Sequence, residues 1–71
     1  MEELTKDLCT IKVRITPPKV GYYLHAEIVG EWLEHNVGKF KDTWDVIYNG
    51  SMIDYYFQDE VTATFFALRW A

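Results

Sequence analysis

Asp45 and Asp54 are the two residues in this chain whose type and spacing could do chemistry. They flank Asn49-Gly50 in the run Thr43-Trp44-Asp45-Val46-Ile47-Tyr48-Asn49-Gly50-Ser51-Met52-Ile53-Asp54-Tyr55-Tyr56-Phe57. Asn-Gly between β-branched and aromatic runs is a strong hairpin signal, because both residues tolerate the positive φ of a type I′ turn. A two-residue turn there sets Tyr48 opposite Ser51, Ile47 opposite Met52, Val46 opposite Ile53, Trp44 opposite Tyr55, and Asp45 opposite Asp54. Facing carboxylates can hold a hard cation or divide acid and base roles. Left alone they repel across the strands. Lys12 and Arg14 resolve the conflict more simply, since they share the outer face of an earlier strand and can neutralise both aspartates. That solution places the first strand beside the third and predicts a sheet order of first, third, second.

The other reactive side chains form no constellation. His25 and His35 stand ten residues apart, with the single cysteine, Cys9, far from both and no carboxylate at ligand spacing. Zinc has no support from such a set. Cys9 reads as a small buried hydrophobe at a strand start. No Ser/His/Asp or Cys/His arrangement and no phosphate-cradling glycine loop is present. A chain of 71 residues would hardly enclose a pocket of about 300 Å³ without a second copy. The residues point to no enzyme, no metal and no cofactor, and only Asp45/Asp54 as a metal-dependent module would reopen the question.

Composition narrows the class further. At 49% hydrophobic and 17% aromatic, the chain can build a core despite its small size. Its seven basic and eleven acidic residues give a net charge of −4, the wrong sign for binding nucleic acid directly. No apolar run approaches the roughly 20 residues of a membrane span. The start, Met1-Glu2-Glu3-Leu4, is acidic and lacks the apolar stretch of a secretory signal. A cytoplasmic protein is expected, with Asn49-Gly50-Ser51 a turn and not a glycan acceptor.

The elements follow from periodicity. Residues 1–8 read as a polar lead-in with Leu4 and Leu8 as anchors. Cys9, Ile11, Val13 and Ile15 alternate with Thr10, Lys12, Arg14 and Thr16, which predicts a half-buried strand over 9–16 that Pro17-Pro18 ends. Tyr22, Ala26, Val29 and Leu33 make one helical stripe, opposite Glu27, Glu31 and Glu34. This predicts a helix over 21–36, with Leu24 and Ile28 extending its apolar surface and Gly38 in the left-handed C′ position. Strands are expected over 43–48 and 51–57, with Trp44, Val46, Ile53 and Tyr55 facing the core. Asp59 is a natural N-cap for a last helix over 59–68. That helix is apolar nearly all round: Ala63, Phe66, Ala67 and Trp70 form one stripe, and Val61, Phe65 and Leu68 another. If the tail after Leu68 turned extended, Arg69-Trp70-Ala71 would add an edge strand. The whole, residues 1–71, reads as one α+β domain. Its layout is β-α-β-β-α, with two helices on one face of a three-stranded antiparallel sheet of order 1-3-2, ferredoxin-like but lacking the last strand.

The last third resembles a tail found in small proteins of tailed bacteriophages. There an aromatic strand runs into an acidic N-cap and then Ala-x-x-Phe-x-Leu-Arg-Trp, carried here by Ala63, Phe66, Leu68, Arg69 and Trp70. Trp32-Leu33-Glu34-His35-Asn36-Val37-Gly38 is similar to the helix end in such proteins. The resemblance covers about half the chain and implies a phage-encoded protein in the host cytoplasm. Its matched residues are packing residues and bring no site with them.

A helix apolar on every side must be buried in something. The expected function is therefore non-enzymatic association: binding and modulating a larger protein, or pairing with a second copy. The candidate partner-binding residues are Glu27, Glu31, Glu34, Val61, Phe65 and Leu68, and the free edge of the first strand offers a further place for another chain to pair. A competing expectation is a nucleic-acid mimic that inhibits a host nucleic-acid-binding protein. It requires Glu27, Glu31, Glu34, Asp45, Asp54, Asp59 and Glu60 to form one continuous acidic surface.

Overall fold

The computed structural model describes residues 9–71, so the lead-in and its anchors Leu4 and Leu8 lie outside the described residues. Five elements follow one another: β1 (Ile11–Ile15), α1 (Tyr22–Asn36), β2 (Trp44–Asn49), β3 (Met52–Phe57) and α2 (Glu60–Trp70). The strands are antiparallel in the order β1-β3-β2, the order that Lys12 and Arg14 required. α2 stays helical through Trp70, so the tail adds no edge strand.

Both helices lie on one face of the sheet. Ile15, Trp44, Ile53, Tyr55 and Phe57 rise from the strands to meet Val29 and Leu33 of α1 and Ala63 and Phe66 of α2, and all nine are buried. Phe66 is the centre of this core. Its ring lies 4.9 Å from those of Tyr55 and Phe57 and 6.2 Å from that of Trp32. The same burial pushes the Tyr55 hydroxyl far above its ordinary titration range, because the phenolate would be desolvated.

The hairpin register differs from the one read off Asn49-Gly50. Asn49 pairs with Met52, so the loop is Gly50-Ser51, and Trp44 pairs with Phe57 instead of Tyr55. Positive φ occurs at Gly50 (64°) and at neither Asn49 nor Ser51. A type I′ turn needs it at both central residues, whereas glycine alone at the first position is the type II′ pattern. The slip is two positions, so every side chain keeps its face, and Phe57 gains a place in the core. The proposed cross-strand pair of aspartates does not survive: Asp45 stands opposite Tyr56, and Asp54 opposite Ile47.

Glycines mark two other features. Gly38 follows the α1 C-cap and donates its N–H to the Leu33 carbonyl at 3.0 Å. Its φ is +144°, outside the left-handed helical well expected for it but still in glycine's territory. Gly30 sits in the middle of α1, and a Cβ placed there would have open space around it. A mid-helix glycine is about 1 kcal/mol worse than alanine, and nothing in the packing of the described residues accounts for it.

Candidate functional site

Three surfaces carry the side chains that sequence analysis singled out. The first is the sheet face away from the helices. The Arg14 guanidinium clamps Asp54 with two bonds, Nε to Oδ1 at 2.7 Å and Nη2 to Oδ2 at 3.0 Å. That bond, helped by the charges of Arg14 and Lys12, holds the Asp54 carboxyl below the usual range against the opposing effect of burial. Asp45 takes a different partner from the one expected. Its Oδ1 accepts the Val46 N–H at 2.8 Å, and the Lys41 ammonium lies 3.9 Å from Oδ2. At 0% and 3% exposure, Asp45 and Asp54 present no open carboxylate pair. Among the described residues, no group of three or more His, Cys, Asp or Glu side chains could hold a metal ion. Cys9 is buried with a free thiol.

The Arg14–Asp54 clamp sets an acid limit on the fold. A depressed carboxyl pKa means that the unfolded chain binds its proton more readily than the folded one. This contribution is therefore complete above the unfolded Asp value, about 3.9, and is lost as pH falls through the lower folded value. Arg14→Gln is expected to move acid unfolding, followed by circular dichroism, to higher pH. An unchanged acid midpoint would show that the clamp is energetically idle.

The second surface is the crest of α1, where Glu27, Glu31 and Glu34 are all exposed. The structure brings these three together on one side of the helix. It does not join them to Asp45 and Asp54, while Asp59 and Glu60 are exposed at the start of α2. Asp45 and Asp54 are buried on the far side of the sheet, and Asp59 caps α2 by accepting the Thr62 N–H at 2.7 Å. That bond keeps the Asp59 carboxyl below its ordinary range.

The third surface is the outside of the helix layer. Val61, Phe65 and Leu68 stand 80%, 52% and 83% exposed at i, i+4 and i+7 on α2, and Leu24 and Ile28 of α1 are 61% and 48% exposed. Trp32 joins the two helices. Its ring lies 5.4 Å from Phe65 and 6.1 Å from Trp70, and Trp70 in turn meets His25 at 5.7 Å. Ile28 and Leu24 precede Trp32 by four and eight residues, on the same side of α1. Phe65 thus packs on a half-buried tryptophan that joins the helices, and Leu24, Ile28, Val61 and Leu68 are further large exposed apolar side chains on the same two helices. Leu24 and Ile28 belong to this surface as much as the α2 residues do. Their i, i+4 spacing ahead of Trp32 was the sequence signal for it.

A groove between α1 and β2 was not foreseen. It is bordered by the exposed rings of Tyr23, Phe40 and Tyr48 and floored at Gly30. None of the helices among the described residues is long and apolar enough to cross a membrane. Comparison of the chain with protein-family models, with curated proteins and with solved structures gave no match.

Proposed function

We propose that this chain is a non-enzymatic association module that binds and modulates a larger protein through the outside of its helix layer. Its tail resemblance extends the proposal to a phage-encoded protein acting in the cytoplasm of the host. One observation carries the reading: Leu24, Ile28, Val61, Phe65 and Leu68 stay exposed on the two helices that Trp32 joins, while Phe66, next in sequence to Phe65, is fully buried. The helices already have a complete inner face, so Leu24, Ile28, Val61 and Leu68 are not needed to fill the core. Contiguous exposed apolar surface of this kind marks interaction sites. Aromatic and aliphatic anchors ringed by charge are the usual anatomy of an interface.

The test uses Phe65→Asp and Leu68→Asp together. Leu68 is 83% exposed and Phe65, half exposed, packs only on the outer side of Trp32, so the doubly substituted chain should stay folded with a modest drop in denaturant midpoint, measured beside the binding. Tagged wild-type protein should retain a partner from native-source extract that this variant loses. Light scattering on the purified chain tells whether the partner is a second copy. Equal retention by wild type and variant would refute the proposal.

A further inference from the structure

The groove on the other side of α1 is a second site, which shares only the Glu27/Glu34 crest with the helix-layer surface. Two open hollows of about 530 and 290 Å³ run end to end along it and share Ala26 and Tyr48 in their walls. Gly30 forms part of the floor, where a Cβ would meet no atom of the described residues within 4 Å. A helix-weakening residue that no packing among the described residues requires, at the base of an open groove, is explained if a ligand must approach the backbone there. Glu27 lines one hollow and Glu34 the other. Neither has a cation within ion-pair distance among the described residues; Glu34 only accepts the Phe40 N–H, at 2.9 Å.

We propose that this groove binds an extended, proline-containing basic segment of a partner protein, with cationic side chains on Glu27 and Glu34 and apolar residues between the rings of Tyr23, Tyr48 and Phe40. The spacing supports this occupant. Seven residues of α-helix separate the two carboxylates by about 10 Å along the axis. A polyproline II helix repeats every three residues, or about 9 Å, so cations at every third position fall beside both. Aromatic-lined grooves are the usual docking surface for such segments. Addition of a β-strand fits less well, because the edge strand β2 has already committed backbone groups. The Trp44 carbonyl accepts the Lys41 N–H at 2.7 Å, and the Val46 N–H is held by Asp45. A polyproline II segment makes no such ladder. A second copy of this chain offers no basic, proline-spaced stretch among its described residues; Pro17-Pro18-Lys19 has one cation.

The probe is a synthetic peptide of about nine residues repeating Arg-Pro-Leu, whose period matches the groove, with a Glu-Pro-Leu peptide as its control. Titration followed by amide chemical shifts should perturb residues 22–34 of α1 and Tyr48 with the first peptide and not the second. Gly30→Leu fills the floor with a better helix former. It should weaken binding at least tenfold without lowering the thermal midpoint, and Gly30→Ala should raise that midpoint while keeping the groove partly open. Glu27→Gln with Glu34→Gln should weaken binding and flatten its salt dependence. Phe65→Asp should leave peptide binding unchanged, so this site and the helix-layer surface stand or fall separately. Equal binding of both peptides, indifference to Gly30→Leu, or shifts confined to α2 would overturn the proposal.

Discussion

Phe66→Ala is expected to cost about 3–5 kcal/mol, the range for removing a fully buried ring from a packed core. The side chain has no exposure and touches the rings of Tyr55, Phe57 and Trp32, so its loss opens a hole between both helices and the sheet. A domain of 71 residues has a total stability of about 4–11 kcal/mol at the usual per-residue values. Much of the variant would then be unfolded at ordinary temperature. Urea denaturation followed by circular dichroism reads the change, with Phe65→Ala beside it as an internal contrast. Phe65 is half exposed and packs mainly on Trp32, so its truncation should cost far less. Similar costs for the two neighbours would mean that the inner and outer faces of α2 have been misassigned.

Gly38→Ala should be the second severe lesion. A Cβ at this position would lie 2.5 Å from the Thr43 Oγ1 and 2.9 Å from its Cγ2. The backbone is also held at φ +144°, where side chains are strained. Strain of this kind costs on the order of 1–3 kcal/mol, and the clash adds to it. The site cannot easily shift, because the Gly38 carbonyl accepts the Trp44 indole N–H at 2.9 Å. Adding Thr43→Ala removes the closest atoms but not the backbone strain. The double substitution should therefore recover part of the loss, and denaturation of the four chains of the cycle measures the coupling. Strict additivity would show that the contact with Thr43 is not what excludes a side chain.

The contrast between Phe65 and Phe66 was legible in the sequence, because helix periodicity separates the stripe of Ala63, Phe66 and Trp70 from that of Val61, Phe65 and Leu68. Sheet order was legible for an electrostatic reason. Two aspartates on one strand face need cations, and among the strand residues only Lys12 and Arg14 could supply them. The hairpin register was not, since Asn49-Gly50 and Gly50-Ser51 are both acceptable turns and local chemistry alone does not choose between them. Tertiary packing favours the second, which sets Phe57 beside Trp44 and beneath Phe66. Face assignments survived the error because a slip of two residues preserves alternation. Asp45 did not survive it: once out of line with Asp54, it turned to the Val46 N–H and to Lys41.

The candidate surfaces divide in the same way. Glu27, Glu31 and Glu34, and Val61, Phe65 and Leu68, each form a row along a single helix, and a row needs only periodicity to be seen. The groove joins α1 to β2 across residues far apart in the chain, so no local pattern announces it. Gly30 was its one trace, a glycine in mid-helix without a turn or a close neighbour to require it.

The most direct test of association through the helix layer is a photo-crosslinking residue placed at position 68, with the protein produced in its native setting. Leu68 is 83% exposed beside Phe65 and Val61, so the probe should leave the fold intact. One adduct of defined mass is expected, which disappears when Phe65→Asp is added and is absent when the probe replaces the exposed Asn49 at the hairpin end. No adduct at position 68, or an adduct indifferent to Phe65→Asp, would contradict association through the helix layer.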